Sequence, residues 1–380
     1  MTSHVSGNPL RIVHCFRSPV GGIFRHVRDL VDAQVKAGHQ VGIVCDSTTG
    51  GAYEEKLFQS IKGQLSLGLY RVAMQRHIGP GDILAAWRTF KVIKGLRPDI
   101  LHGHGAKGGV YSRMFGSLLR VFRSRVARLY SPHGGSLHYD EDTLTGKVFF
   151  RIEALLERFT DYLLFVSSYE LTTYAKKVRS PRIPYSVIYN GLRENEFEPV
   201  RASKEAADFL FIGMMRDLKG PDIFIDALAK ACQSTGKKLT AVMVGAGEDL
   251  GKYVAQAADL GLTEQVKFHA PMPARQAFVM GRAVIVPSRA EAMPYIVLET
   301  LAAGKPMVAS AVGGIPEVFG AGSYAMIQPD STELAAKMSE FMNDPARLAA
   351  AMPDAATLKQ RFGADVMARE IESRYRTVAA

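Results

Sequence analysis

The sequence predicts two α/β domains, each organised on a parallel sheet, and three observations predict it. The first is length: 380 residues exceed what one hydrophobic core usually serves, so two domains of roughly 190 residues are expected. The second is a βαβ pattern near the N-terminus. An apolar run at Leu10–Cys15 leads through the loop Phe16–Gly22 into a helical pattern over Ile23–Ala37. That pattern closes at Gly38, before a second apolar run, Val41–Cys45. The third is the stretch 284–317, VIVPSRAEAMPYIVLETLAAGKPMVASAVGGIPE, where strand, loop and helix signals alternate twice.

Composition narrows the class. Apolar residues make up 47% and charged residues 22%, an ordinary globular balance. No apolar run approaches the roughly 20 residues of a membrane span, and MTSHVSGNPLRIV lacks the apolar core of a signal peptide, so a cytoplasmic protein is expected. Cys15, Cys45 and Cys232 are scattered without metal-ligand spacing and read as reduced packing residues. The net charge is +10. Residues 1–200 carry 27 Lys and Arg against 17 Asp and Glu, and residues 201–380 carry 20 of each. The whole excess belongs to the first half, which points to an anionic partner for that domain.

In chain order, the turn Gly21–Gly22 opens the first helix. Pro98–His104 is a further strand, and its histidines end at the sheet edge where α/β proteins bind ligands. His104 there is either a ligand residue or a hydrogen-bonded core residue. In the segment Lys107–Arg128, Val110, Met114, Leu118, Val121 and Phe122 recur at helical spacing, with Arg113, Arg120, Arg123, Arg125 and Arg128 around them. Such a cationic amphipathic helix either lies on an anionic membrane or packs on a core with its basic face solvated. No nucleic-acid-binding module is present. Asp140–Glu141–Asp142 has the shape of a metal-binding DxD but lacks the strand that motif needs, and reads as a solvated loop. The first domain ends at Val187–Gly191, and the charged stretch Leu192–Lys204 is a linker.

The second domain opens with the strand Phe209–Gly213 and the loop Met214–Gly220. Val242–Gly245 is a strand that runs into a glycine turn, without the third glycine of a dinucleotide fingerprint. Val284–Pro287 is a buried strand, and Pro294 suits the first position of a helix that ends at Gly304 with Pro306 beyond it. Met307–Ser310 is the next strand, followed by the Gly313–Gly314 turn and a helix near Pro316. Arg361–Val378 is a final amphipathic helix.

The chemistry of 284–317 is specific. Helix N-termini carry unpaired N–H groups and partial positive charge, which suit a phosphate. Glu291 and Glu299 repel phosphate but accept hydrogen bonds from hydroxyls, and they flank such an N-terminus. A ligand with a diphosphate in the middle and a sugar at each end fits all three features; that is a nucleotide sugar. These residues, with seven residues between them inside PSRAEAMPYIVLETLAAGKPMVAS and followed by VGGIPE, resemble the donor-site signature of the retaining family 4 glycosyltransferases, which have the GT-B fold of two Rossmann-like domains facing a cleft.

The resemblance runs from about residue 10 to 378. It implies that Gly21 and Gly22, in PVGG, approach the donor phosphates or the acceptor, that His104 ends a strand similar to the family's HxHG, and that His133, in the HG loop, lies beside the transferred sugar. Asn190 stands in a motif similar to the family's IxNG. Arg216 and Lys219 flank the donor diphosphate, although the usual Arg directly after the glycine is here Met214. Glu291 holds sugar hydroxyls and Glu299 the ribose, while Met293, Pro294 and Tyr295 line the start of the donor-site helix. The final helix crosses back, giving an acceptor-side domain of 1–191 plus 362–380 and a donor-binding domain of 192–361.

The function implied is that of a hexosyltransferase, with retention and with neither metal nor cofactor. It moves a sugar from a nucleotide diphosphate sugar to a hydroxyl of a saccharide or polyprenyl-diphosphate-linked acceptor, as in bacterial surface polysaccharide or lipopolysaccharide synthesis. An enzyme of this type is expected in the cytoplasm, with peripheral attachment to the inner face of the membrane left open. Two alternatives remain at this point: a nucleotide-sugar epimerase of the same architecture, which needs no acceptor, and a non-catalytic nucleotide-sugar-binding or membrane scaffold protein.

Overall fold

The computed structural model describes residues 8–74, 81–122 and 125–379. The chain divides into two compact units, one comprising Met1–Gly191 with Ala364–Ala380 and the other Leu192–Gly363. Each is an α/β unit around one parallel sheet.

The first unit contains seven strands: β1 (Arg11–Phe16), β2 (Gln40–Asp46), β3 (Gly68–Val72), β4 (Ile100–His104), β5 (Ala127–Ser131), β6 (Tyr162–Phe165) and β7 (Tyr185–Val187). Their order is β3-β2-β1-β4-β5-β6-β7, and every pairing is parallel. The strands are short, and all but the edge strands β3 and β7 are almost wholly buried, as expected of a sheet covered on both faces. The order reverses between β1 and β4, so the crevice at their carboxyl ends is the topological switch point where such sheets bind ligands. Helix Gly105–Val121 comes close to β1. A Cβ on Gly108 would lie 2.3 Å from the Cys15 carbonyl oxygen, so only glycine fits there.

Both β4-to-β5 and β5-to-β6 step the same way across the sheet. Right-handed crossovers therefore put the helices Gly105–Val121 and Leu144–Leu156 on one face. The last helix, Ala364–Ala379, packs Met367, Ile371 and Tyr375 into the core formed by Leu10, Ile12, Leu30 and Ile100.

The second unit has six strands: β8 (Ala207–Ile212), β9 (Ala241–Val244), β10 (Val266–His269), β11 (Gly281–Val286), β12 (Met307–Ser310) and β13 (Met326–Ile327). Their order, β10-β9-β8-β11-β12-β13, repeats the first unit's logic, with the switch point between β8 and β11.

Four local readings are corrected. Pro294 is the N-cap (φ −77, ψ 123) of helix Tyr295–Ala302, not its first helical residue. The last helix starts at Ala364, because Gly363 adopts extended geometry and separates it from helix Ala355–Phe362, which holds Arg361. The segment after Lys107 stays helical only to Val121, and Arg128 lies in β5. Its basic face is also smaller than the spacing suggested. Arg113 is fully buried and paired with Glu153 at 2.8 Å, while Arg120 and Arg128 share Asp161. Arg123 lies outside the described residues.

Candidate active site

In the second unit, the loops after β8, β11 and β12 meet. After β8 the chain passes Arg216, whose carbonyl accepts the Lys219 N–H at 2.9 Å, and makes a single 3-10 turn, Asp217–Lys219. Gly220 follows with φ +70, and a Cβ there would lie 2.1 Å from the Pro287 carbonyl oxygen. The loops after β8 and β11 can touch only because this residue is glycine. Arg289 fastens the contact. Its N–H donates to the Leu218 carbonyl (2.9 Å), and its guanidinium donates to the Asp217 carbonyl (2.5 Å) and to both carboxylate oxygens of Asp222 (2.8 and 2.5 Å).

This arrangement places Lys219 Nζ 2.6 Å from Glu291 Oε1, which also accepts the Ser288 hydroxyl at 2.7 Å. The pair is withdrawn from solvent without being sealed, with side chains 22% and 7% exposed. The Gly313–Gly314 turn locks the same loop from the other side. Gly313 (φ +62) leaves no room for a Cβ, which would fall 1.7 Å from the Glu291 carbonyl oxygen, and the Gly314 N–H donates to the Ala292 carbonyl at 3.1 Å. Two motifs separated in sequence are thus one physical object. Helix Tyr295–Ala302 starts immediately after it and brings its positive end to the loop. Met293 and Tyr295 are buried (4% and 7% exposed), and half-buried Glu299 is the helix's fifth residue.

At the first unit's switch point five histidines gather. His14 comes from β1, His102 and His104 from β4, His26 from helix Gly22–Lys36, and His133 from the loop after β5. His14 Nδ1 lies 3.0 Å from His104 Nε2, and His104 Nδ1 lies 3.1 Å from His133 Nε2. His14 Nε2 contacts Gln34 Oε1 at 2.9 Å, and His26 Nδ1 contacts Asn190 Oδ1 at 3.1 Å. His102 is held by the Tyr375 hydroxyl (2.7 Å) and Ser131 Oγ (2.9 Å). Burial pushes His14 and His26 down to about 4 and holds His102, His104 and His133 well below the ordinary histidine value, so all five rings are neutral at pH 7. Helix Gly22–Lys36 begins at the exposed Gly21–Gly22 turn, where Gly21 has φ +72.

His133 adopts φ +50, a left-handed conformation that is uncommon outside glycine. Glu170 over-determines it. Its buried carboxyl accepts the Gly134 N–H at 2.5 Å and the Val166 N–H at 2.9 Å, while burial raises its pKa to about 7.

Two histidine triplets, His14–His102–His104 and His26–His104–His133, bring ligand-type nitrogens within 4.8 Å of one another. In the first triplet all six ring nitrogens already have hydrogen-bond partners, so it is a closed network rather than an open ligand set. Asp140–Asp142 lies in an exposed turn in which the Asp142 N–H donates to Asp140 Oδ1 at 2.9 Å.

The structure therefore brings Lys219 together with Glu291, and His104 together with His133, with Asn190 joined to that cluster through His26. Sequence reasoning missed His14, His26, Gln34, Ser288, Arg289 and Glu170. A usable signal existed for two of them: His14 interrupts the apolar strand RIVHCF, and Gln34 sits on the buried side of the first helix.

The Glycosyltransferase Family 4 model matches residues 20–196, and the Glycosyl transferases group 1 model matches residues 193–359. Among curated proteins, D-inositol 3-phosphate glycosyltransferase 1 of Catenulispora acidiphila is 32% identical over 48% of this chain and 47% of its own length. The corresponding enzyme of Frankia alni is 31% identical over 44% of each chain. The chain thus matches about half the length of these two relatives. The Thermobispora bispora enzyme is 24% identical over 89% of this chain and 82% of its own. Anabaena Alr3699/HepE, solved with UDP and glucose, has the same fold (TM-score 0.77, 19% identity, 96% of this chain and 99% of that one). So does WaaG, a glycosyltransferase involved in lipopolysaccharide biosynthesis (TM-score 0.70, 15% identity, 97% and 99%). With one family model on each unit and the two-sheet architecture between them accounted for, the chain belongs to the group 1 glycosyltransferases of GT-B fold.

Proposed function

We propose that this protein transfers a hexose from a nucleotide diphosphate sugar to a hydroxyl of a saccharide or polyprenyl-diphosphate-linked acceptor, with retention of configuration, in bacterial surface polysaccharide or lipopolysaccharide synthesis. The observation that carries the reading is the Lys219–Glu291 contact at 2.6 Å, directly before the positive end of helix Tyr295–Ala302. A cation and a helix N-terminus suit a diphosphate, and the two glutamates suit hydroxyls on either side of it. The bond from the sugar's anomeric carbon to the phosphate oxygen breaks. A bond to the acceptor oxygen forms on the same face, and the acceptor proton goes to the departing phosphate. Lys219 and Arg216 offset the charge that grows there. Glu291 holds sugar hydroxyls, Glu299 the ribose, and His133 a hydroxyl of the transferred sugar. Gly21, Gly22, His104 and Asn190 belong to the acceptor side. The donor is a substrate, and the reading includes no resident metal or cofactor.

The Anabaena structure holds UDP and glucose, and several relatives carry the name D-inositol 3-phosphate glycosyltransferase, which supports nucleotide-sugar chemistry. Thermal shift against UDP-, GDP- and ADP-sugars tests the donor, because a matching ligand stabilises the fold by mass action. Transfer assays with lipid-linked saccharides and with D-inositol 3-phosphate then identify the acceptor. A protein stabilised by none of these donors contradicts the reading.

Membrane attachment belongs to the same proposal. Met114, Leu118, Val121 and Phe122 on one helix, and Leu144, Val148, Ile152 and Leu155 on the next, are exposed on the same face of the first unit's sheet. Exposed Lys147 and Arg151 lie among the second set. Sedimentation with anionic vesicles should show salt-sensitive binding that Val121→Ser and Leu144→Ser reduce; no binding removes the membrane from the account.

A further inference from the structure

The histidines at the first unit's switch point form a chain with a direction. Gln34 Oε1 is an acceptor, so His14 Nε2 carries the proton in their 2.9 Å contact. A neutral His14 then has only a lone pair at Nδ1, and His104 must donate from Nε2 across 3.0 Å. His104 Nδ1 is left as a lone pair in turn, and His133 must donate to it from Nε2 across 3.1 Å. The orientation of the Gln34 amide sets the direction. The structure places Oε1 on His14, with Nε2 buried and without a hydrogen bond among the described residues.

We propose that Gln34 and His14 are positioning residues whose hydrogen-bond chain through His104 fixes His133 as the Nε2–H tautomer, so that His133 presents Nδ1 solely as a hydrogen-bond acceptor for a substrate hydroxyl. The part about the hydroxyl rests on the glycosyltransfer reading above; the tautomer does not. The chain explains why so many imidazoles are buried together. Along His14, His104 and His133 each ring is neutral and donates toward Gln34, and His133, at the part-exposed end of that run, keeps a nitrogen that the run does not use. The strained φ of +50 at His133, held by Glu170 through Gly134, fixes the backbone from which that ring projects. A hydroxyl bound to Nδ1 must donate its proton, which orients its lone pairs away from the ring and selects one rotamer of the sugar hydroxyl.

The test is nitrogen-15 NMR of histidine-labelled full-length protein at pH 7.5, with His133 assigned by the peak lost in His133→Gln. The expected result is an unprotonated Nδ1 and a protonated Nε2 on His133, on His104 and on His14. Gln34→Met should shift the His133 ring nitrogens although it lies two rings away. It should also lower kcat about 10-fold to 100-fold with little change in donor KM, the scale of losing an orienting partner behind a functional histidine. Gln34→Glu keeps an acceptor at the same place and should restore both, which separates the relay from a folding defect. A His133 protonated at Nδ1, or His133 nitrogens unmoved in Gln34→Met, overturns the proposal. If the NMR result holds and no nucleotide sugar is turned over, the relay stands and the glycosyltransfer reading fails.

Discussion

The two units solve the same topological problem with opposite chemistry. Each sheet reverses order at a central pair of strands, β1 and β4 in one and β8 and β11 in the other, and each carries its polar cluster at the carboxyl end of that pair. In the second unit the cluster is an ion pair, Lys219 with Glu291, left partly open to solvent and built on glycine turns that let three loops touch. In the first it is four buried imidazoles and a part-buried fifth, all with lowered pKa values. A charged pair at a sheet edge can exchange its partner for an anionic ligand, because the cation is paid no large desolvation penalty while it waits. A neutral hydrogen-bonded network cannot bind an anion by charge, but it can orient a hydroxyl with high directional definition. In the proposed function, the difference separates the task of holding a diphosphate from that of orienting a sugar.

That contrast can be broken in three ways, taken from the largest expected effect downward. Lys219→Ala should lower transfer by about 2–4 kcal/mol of transition-state stabilisation while leaving the melting temperature close to that of the parent. Steady-state kinetics with a matched donor checks it, and near-normal turnover would remove Lys219 from the mechanism. Next, acid should loosen the first unit selectively. His14 and His26 have folded pKa values of about 4 against 6.5 unfolded, so the unfolded chain binds more protons below pH 6.5 and stability falls as pH drops. From pH 7 to pH 5 each contributes a loss of about 2 kcal/mol. Glu170, raised to about 7, works in the opposite direction over the same window, because its proton favours the folded state, but it is one group against five. Hydrogen exchange read by peptide should show protection lost around β1, β4 and β5 at pH 5, with less change around β8 and β11. Equal loss in both units would mean that the imidazoles are not the acid-sensitive element. Last, Glu299→Ala should weaken donor binding by about 1.5–3 kcal/mol, the range for a hydrogen bond to a charged group, with kcat at saturating donor little changed. Calorimetric titration with the nucleotide diphosphate alone against the full donor would place that loss on the ribose.

Much of this was legible in the sequence, for identifiable reasons. The strands read in the sequence, such as Leu10–Cys15, Val41–Cys45 and Met307–Ser310, are short apolar runs close to glycine or proline, a pattern that survives without tertiary information. Glu291, Glu299, Lys219 and the Gly313–Gly314 turn lie close to strand ends, where chain order already implies position. The histidine network was not legible, because it joins residues up to 273 apart in sequence, as in His102 with Tyr375, and only the register of β1 against β4 brings His14 opposite His102. Arg113 was misread for a related reason. Helical spacing assigned it to a basic solvent face, but Glu153, Tyr130 and the small residue Gly109 form a buried socket for it, with its guanidinium 3.9 Å from the Tyr130 ring centroid. Conversely, Met114, Leu118 and Val121 were counted as an apolar face, and the structure turns that face outward while Tyr111, Phe115 and Leu119 fill the core.

The most direct measurement is a crystal structure with a bound nucleotide diphosphate. Its phosphates should lie within hydrogen-bond distance of Lys219 and against the first turn of helix Tyr295–Ala302, with the ribose hydroxyls on Glu299. Phosphates bound elsewhere on the second unit, with Lys219 still closed on Glu291, would contradict the account.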